Sequence, residues 1–296
     1  MNRAAFIVLA STLGLSACQP ARESPAAREP GVASDSLAAE PVAAPSPPML
    51  PPVFVAPRNA SAAAPSSTVP SPWIDAFPHV RVDLKRQLVE IHGEISVDAH
   101  NPETPKPYLE VMVCAAGTRE HEALVVTRAR ASHVHAALLM IGLAPGKPGS
   151  WKPVRDAGAS RLERVQPTGD SVVVWMAPAP SPTQTLDFPS PAWSKLSQFV
   201  LVEPKMTPLG GVEPSDPQSQ RGWVFAGSFE RERPAGGITY QADLEGNIVG
   251  LTTFGDEVVA WREVHSHAAD HETPAWLPDP ARLPPAGTPV RVIISR

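Results

Sequence analysis

One segment decides the predicted fold class: residues 132–143, which read Ser-His-Val-His-Ala-Ala-Leu-Leu-Met-Ile-Gly-Leu. Ser132 is a residue type that favours the N-cap of a helix. The residues that follow it are apolar nearly all round, as expected of a buried helix. Gly142 and Pro145 end the pattern. The sequence therefore predicts one main buried helix in this segment.

Segments on both sides of this helix alternate apolar and polar residues, which indicates β-strands. Ala192–Val200 is predicted as a short helix, and Glu245-Gly246-Asn247 as a hairpin turn. The predicted strands are His79–Leu84, Gln87–Ile91, Glu94–Val97, Tyr108–Cys114, Ala123–Thr127, Ser171–Met176, Trp223–Phe229, Ile238–Asp243, Ile248–Phe254, Glu257–Trp261 and Val290–Ser295. The predicted fold class is α+β, with a mostly antiparallel sheet packed on one main buried helix.

The N-terminus has the layout of a bacterial lipoprotein signal. An apolar run too short to span a bilayer follows Arg3 and ends in Leu15-Ser16-Ala17-Cys18, which resembles a lipobox. We expect residues 1–17 to be a signal peptide and Cys18 to carry the acyl chains that anchor the protein. The alternative is an ordinary cleaved signal peptide. Gln19, where an Asp commonly signals inner-membrane retention, favours the outer membrane, with the domain facing the periplasm.

Residues 18–72 are mostly Ala, Pro, Ser and Glu, with few large apolar residues and no periodic pattern. Such a stretch cannot bury enough apolar surface to offset its backbone entropy, so it should act as an extended tether. The globular domain is predicted over residues 73–264. Residues 265–296 are predicted to be a C-terminal tail or an added strand.

Composition excludes several classes of function. The formal net charge is −5, and no basic stripe with interleaved aromatic residues is present, which argues against a nucleic-acid partner. The chain has two cysteines. If Cys18 is lipidated, Cys114 is alone, which excludes an intramolecular disulfide and a four-cysteine zinc or iron–sulfur site within one chain. A lone cysteine in an oxidising compartment is usually buried.

Two blocks of the sequence stand out. The first runs from Cys114 to Thr127, with Arg-Glu-His-Glu at 119–122, and continues through Ser132–Leu139 to Pro148. The second comprises Trp223–Phe229 and Tyr240–Val249. Together the blocks resemble the YdjY-like domain family of bacterial envelope proteins, over most of Phe77–Trp261. The resemblance implies an envelope location and carries no reaction with it.

The polar residues of the first block are the candidates for a site. His121, His133, His135 and Cys114 offer imidazole and thiolate, which are ligand types for zinc or copper. If His133 and His135 lie in an extended segment, both point to one face. If they lie in the first turn of the helix, they point about 200° apart, and only one of them can join His121.

An anion site is the second interpretation of this block. The free N–H groups at the start of the helix, with neighbouring basic side chains, could hold a carboxylate or a phosphate. The third interpretation is structural, with one histidine packed in the core and Glu120 or Glu122 capping or pairing locally. The ligand-binding candidates are Arg119, Glu120, His121, Ser132, His133 and His135.

Signals for an enzyme are poor. The chain contains no Gly-x-Ser-x-Gly, no His-Glu-x-x-His and no phosphate loop. His265, His267 and His271 are predicted to lie in the solvated tail. We therefore expect a membrane-anchored envelope lipoprotein with a non-enzymatic domain that binds an envelope protein or a small anionic ligand. The alternatives are a metal-binding protein or metalloenzyme using His121, His133 and His135, and a purely structural envelope component.

Overall fold

The backbone closes on itself through eight hydrogen-bonded strands. A computed structural model describes residues 72–103, 105–156, 159–180, 186–209, 222–233, 236–267, 272–273 and 275–296. The predicted signal peptide, Cys18 and, apart from residue 72, the predicted tether lie outside the described residues, as does His271. None of the helices in the described ranges is long and apolar enough to cross a bilayer.

Short strands make up most of the structure. The helices are α1 (Ala131–Met140) and α2 (Gln241–Glu245), with 3₁₀ turns at Glu120–Glu122 and Leu196–Phe199. The strands are β1 (Ile74–Phe77), β2 (Val80–Asp83), β3 (Leu88–Ile95), β4 (Val111–Ala115), β5 (Ala123–Thr127), β6 (Ser150–Asp156), β7 (Ala159–Val165), β8 (Ser171–Pro178), β9 (Ser194–Lys195), β10 (Val200–Val202), β11 (Thr207–Pro208), β12 (Trp223–Phe225), β13 (Glu230–Glu232), β14 (Ile238–Tyr240), β15 (Asn247–Gly250), β16 (Val259–Trp261), β17 (Trp276–Pro278) and β18 (Pro289–Ser295).

The closed barrel has the strand order β3-β18-β8-β12-β16-β15-β4-β5, and β5 pairs back onto β3. Two neighbouring pairs, β4–β5 and β15–β16, are parallel, and the other six are antiparallel. Alternate side chains of these strands point inward and fill one continuous apolar core. Ring closure removes the open edges that a flat sheet would leave.

Strand β3 changes partner where the ring closes. Its first half pairs with β2, whereas Gly93, Glu94 and Ile95 pair with Thr127, Val126 and Val125 of β5. A Cβ atom on Gly93 would lie 2.7 Å from both the Val125 Cγ1 atom and the Val126 carbonyl oxygen. Glycine is therefore needed for the two strands to approach this closely.

The prediction of an α+β fold was wrong. The domain is mostly β and 11% helical, and α1 is the one helix of seven or more residues within the described ranges. The strands were predicted largely in the right places, but local alternation does not reveal whether a sheet stays open or closes. Here the pairings between distant segments close the sheet, so its core lies inside the ring and is not formed mainly against a helix.

Helix α1 also differs in detail from its prediction. It begins at Ala131 after Arg130, so Ser132 is its second residue and not its N-cap. Val134, Ala137 and Leu138 are buried, whereas Leu139 and Met140 are exposed, so the helix is buried on one face only. The helix packs against β2, β3 and β15. As predicted, it ends just before Gly142.

One predicted turn was wrong. Glu245-Gly246-Asn247 is not a hairpin turn, because Gly246 ends α2 and β15 then pairs in parallel with β16. The β6–β7 hairpin was not predicted. Residues 265–296, predicted as a tail or an added strand, contain β17 and β18. Strand β18 lies between β3 and β8 inside the ring.

The N-terminus of α1 is held by a carboxylate from α2. Asp243 Oδ1 accepts the backbone N–H of Ser132 at 2.8 Å, and Asp243 Oδ2 accepts the Ser132 hydroxyl at 2.7 Å. Arg130 donates to the same carboxylate at 2.7 Å. The free N–H groups of a helix N-terminus favour a negative charge at this position.

We predict that Asp243→Ala lowers the free energy of unfolding by about 1–3 kcal/mol, because it leaves the start of α1 without an acceptor. Urea unfolding followed by circular dichroism measures this loss. Glu232→Ala, on exposed β13, is the matched control and should change stability by less than about 0.5 kcal/mol. Equal losses in the two variants would show that the carboxylate does not stabilise the helix start.

Candidate functional site

The two sequence blocks bind to each other. Besides the Ser132–Asp243 contact, His135 Nδ1 donates to the Tyr240 hydroxyl at 2.8 Å, and that hydroxyl donates to the Gly227 carbonyl at 2.9 Å. Burial lowers the pKa of His135, which keeps its imidazole neutral. The polar residues at the start of α1 therefore join α1 to the β12–α2 segment.

The three histidines of the predicted metal site have separate surroundings. His133 stacks on the Phe77 ring at 4.8 Å between ring centroids. The side chain of His121 is 79% exposed and lies 3.8 Å from a Glu122 oxygen. Within the part of the chain that the structure describes, no group of three His, Cys, Asp or Glu side chains is placed to hold a metal ion.

Cys114 is fully buried in a small apolar cluster on β4 and β5, beside Val111, Ala123 and Val126. Burial raises the pKa of its thiol to about 11. The thiol is therefore protonated at neutral pH, whereas the thiolate is the form that binds metals and attacks electrophiles.

The anion site predicted at the start of α1 is already occupied by the Asp243 carboxylate. Glu120 is also used locally, since its carboxylate accepts the Gly117 backbone N–H, and this contact lowers the pKa of Glu120. Of the predicted ligand residues, Arg119 remains. It lies near carboxyl groups whose pKa values are raised.

Arg119 lies at the centre of a carboxylate cluster. Its Nη1 atom is 3.2 Å from a Glu122 oxygen, and its Nη2 atom is 3.6 Å from a Glu245 oxygen. The guanidinium lies over the Phe254 ring, 4.0 Å from the centroid, which is a cation–π contact. This contact joins the connection that precedes β5 to the connection that precedes β16.

Glu110 lies at the edge of this cluster, and its carboxyl has a strongly raised pKa. Partial burial and the neighbouring Glu122 carboxylate raise the pKa of Glu110 to about 7, against a smaller opposing effect of Arg119. The backbone is fixed here, because the Glu110 carbonyl accepts the N–H groups of Leu251 and Thr252 at 3.0 and 2.9 Å. At neutral pH, Glu110 is therefore near the midpoint of its titration.

A buried polar layer lies close to this cluster. Asn247 Nδ2 donates to Asp256 Oδ1 at 3.1 Å, and the backbone N–H groups of Phe254 and Gly255 donate to Glu257 Oε1. Burial raises the pKa of Asp256, and raises that of Glu257 to about 7. Clustered perturbed carboxyls of this kind are more frequent at functional sites than elsewhere.

Gly250 makes room for this polar layer. A Cβ atom at position 250 would lie 2.4 Å from Glu257 Cγ and 3.0 Å from Asn247 Oδ1. The Glu257 Oε2 and Asn247 Oδ1 atoms are buried and have no hydrogen-bond partner among the described residues. The two side chains therefore converge over the backbone of β15.

A cavity of about 200 Å³ adjoins Glu110. His265 is within 3.5 Å of both Glu263 and Glu272 and meets the Trp276 ring edge-on. His267 stacks on Phe254, which connects the cavity to the Arg119 cluster. Burial lowers the pKa of His265. The cavity is lined by Leu109, Glu110, Thr252, His265, Ser266, His267, Glu272, Thr273, Ala275 and Trp276.

The lining suits a small ligand that donates hydrogen bonds or carries positive charge. Glu110 and Glu272 are the acidic residues of the lining, although Glu272 already accepts from Arg164 and from the Ser266 backbone N–H, and Trp276 supplies an aromatic wall. Both features bind cations, through ion pairing and through cation–π contact. The volume is below the roughly 300–1,000 Å³ of pockets that hold drug-sized molecules, so the ligand would be small.

Much of this site could not be recognised from the sequence. Arg119 was among the candidates, and Glu122 was considered only as a local partner, whereas Glu110, Glu257 and Trp276 were not considered. The adjacent carboxyls Asp256 and Glu257, placed at the start of an apolar strand, were the available signal.

We predict that Glu110→Gln changes the pH dependence of stability. The pKa of Glu110 in the folded protein, about 7, lies above its ordinary value of 4.5. The folded state therefore binds more protons than the unfolded state between these values, and wild-type stability falls as pH rises through this window. The variant lacks this loss. Its free energy of unfolding should therefore rise by on the order of 1 kcal/mol relative to that of wild type as the pH increases from 4 to 8.

Urea unfolding at a series of pH values measures this difference, and the titration of Glu257 cancels because both proteins contain it. Glu94→Gln, at an exposed carboxyl of β3, is the control. A constant difference between wild type and Glu110→Gln at every pH would rule out a perturbed carboxyl at this position.

A family model described as the YdjY domain matches residues 80–295 of the chain. No curated protein and no solved structure matches the chain. The match confirms the resemblance carried by the two sequence blocks, and it extends through β18 to the end of the barrel. The chain therefore belongs to the YdjY domain family.

Proposed function

We propose that this protein is a lipid-anchored envelope protein whose YdjY domain binds a small cationic ligand in the Glu110 cavity, without catalysing a reaction. The observation that carries the binding proposal is that Glu110, whose carboxyl interacts with Glu122, lines the cavity together with Trp276. The lipobox Leu15-Ser16-Ala17-Cys18 supports the anchor.

A binding role is favoured over catalysis by what surrounds the cavity. Its hydroxyls and imidazoles are engaged in local contacts: Thr252 Oγ1 donates to the Glu110 carbonyl, and His265 lies between two carboxylates. Among the described residues that line the cavity there is no cysteine, the side chain that is the strongest nucleophile near neutral pH. The lining thus consists of groups that can bind a ligand through charge, hydrogen bonds and aromatic contact.

We predict that N-methylguanidinium binds in the cavity and shifts the Trp276 indole N–H resonance, assigned with Trp276→Phe. Binding should be tighter at pH 8 than at pH 5.5, because Glu110 is ionised only at the higher pH. This probe stays cationic throughout, so the pH effect reports the protein. Glu110→Gln should weaken binding at least tenfold and abolish its pH dependence.

N-methylurea, a neutral molecule of the same shape, is the matched control ligand, and Glu94→Gln is the control variant. Equal shifts with N-methylurea, or unchanged affinity in Glu110→Gln, would contradict a cation site. Tighter binding of acetate than of N-methylguanidinium would also contradict it and would favour the anionic ligand expected from the sequence.

The anchor is tested separately. In a Gram-negative host fed tritiated palmitate, the full chain should be labelled and should fractionate with membranes. Cys18→Ala should be unlabelled and should move to the soluble fraction, whereas Cys114→Ala should behave like wild type. Label on the Cys18→Ala protein, or its loss from the Cys114→Ala protein, would overturn lipidation at Cys18.

A further inference from the structure

The β6–β7 hairpin stands apart from the barrel. Its two strands pair with each other over seven residue pairs, from Ser150–Val165 to Asp156–Ala159, and form a sheet of their own. Neither strand packs extensively on another helix or strand. At roughly 3.4 Å per residue, the hairpin extends about 20 Å. An isolated two-stranded hairpin is only marginally stable in water. We therefore expect this arm to be stabilised by contact with a partner.

The base of the arm is fixed to the body. The Arg164 guanidinium lies over the Trp151 ring, 5.5 Å from the centroid, and Arg164 donates to Glu272 at the cavity wall. Two strands leading from a fixed base hold the remaining side chains at a defined distance from the barrel.

The arm is cationic on an acidic protein. Residues 150–165 contain four basic and two acidic residues, a net charge of +2, in a chain whose net charge is −5. Arg164 is paired with Glu272, so Lys152, Arg155 and Arg161 are the basic residues left to face a partner. Lys152, Arg155 and Arg161 are exposed, and Leu162 is 49% exposed. Exposed cations and exposed apolar surface therefore occur together on one projecting element.

Both faces of the arm carry these features. Side chains alternate along a strand, so Arg155 shares a face with Pro153 and Leu162. The opposite face holds Lys152, Arg161 and Val154, together with Glu163 across from Lys152. A partner that contacts all of these basic and apolar side chains must therefore cover both faces of the hairpin.

From this arrangement we propose that the β6–β7 arm binds an anionic membrane surface. Arginine forks match lipid phosphates in geometry, and interleaved apolar side chains enter the interface between headgroups and acyl chains. A headgroup layer can surround both faces of an inserted arm, whereas the surface of a folded protein covers one face. The acidic body is repelled by the same surface, so the arm sets the orientation of the domain. The proposal does not depend on lipidation at Cys18.

The test uses the full chain with Cys18→Ala, so that no acyl chain contributes, and co-sedimentation with large vesicles. Vesicles of phosphatidylcholine with about 30% phosphatidylglycerol, whose negative surface potential attracts basic residues, are compared with pure phosphatidylcholine. Binding should require the anionic lipid. Because each basic residue near an anionic surface contributes about 1 kcal/mol, Arg155→Gln with Arg161→Gln should lower the partition coefficient about thirtyfold.

Arg231→Gln with Arg233→Gln is the matched control, since it removes two exposed arginines from the other two-stranded hairpin, β13–β14. This variant should bind like the parent. Leu162→Ser tests insertion and should weaken binding without changing charge. Thermal unfolding checks that each variant is folded.

Binding that ignores lipid charge would overturn the proposal, as would equal losses in the two arginine pairs. Arm-dependent self-association in analytical ultracentrifugation, without vesicle binding, would assign the arm instead to the acidic surface of a second copy.

Discussion

Pairing between β3 and β5 is the constraint on which the rest of the structure depends. Three residue pairs close the ring, and the Thr127 hydroxyl reinforces them by donating to the His92 carbonyl at 2.6 Å. Without this pairing, the same strands would form a curved open sheet with β5 at a free edge, and the inward-facing side chains would lose their enclosure. Gly93 permits this contact because it has no side chain between the two strands.

The candidate site follows from the two parallel strand pairs. Adjacent parallel strands cannot be joined by a tight hairpin, so the chain must return along the sheet before the second strand begins. Residues 116–122 make this return between β4 and β5, and residues 251–258 make it between β15 and β16. These two connections meet where Arg119 lies over Phe254, and this contact brings their carboxyl groups close together.

The sequence predicted what is local and missed what is distant. The β2–β3 hairpin and the end of α1 follow from turn and helix signals within a few residues, and the two blocks led to the family. Closure of the ring depends on residues more than thirty positions apart, such as Gly93 and Thr127, and no local pattern records it. The same limit applies to the site, because Glu110 and Trp276 become neighbours only after the barrel forms. Ser132 and His135 were recognised as important, but for contacts with ligands, whereas they bind Asp243 and Tyr240.

The place of β18 in the ring has a consequence for biogenesis. It is the last of the eight strands in chain order, yet it lies between β3, which is the first, and β8. During synthesis, a chain that still lacks this strand presents two unpaired edges and an unfilled interior. Such intermediates are prone to aggregate, and pairing over such a long sequence separation is slow to form. The barrel therefore cannot close progressively from its N-terminus, because the two strands that flank β18 have no partner at that position until the last strand has been synthesised.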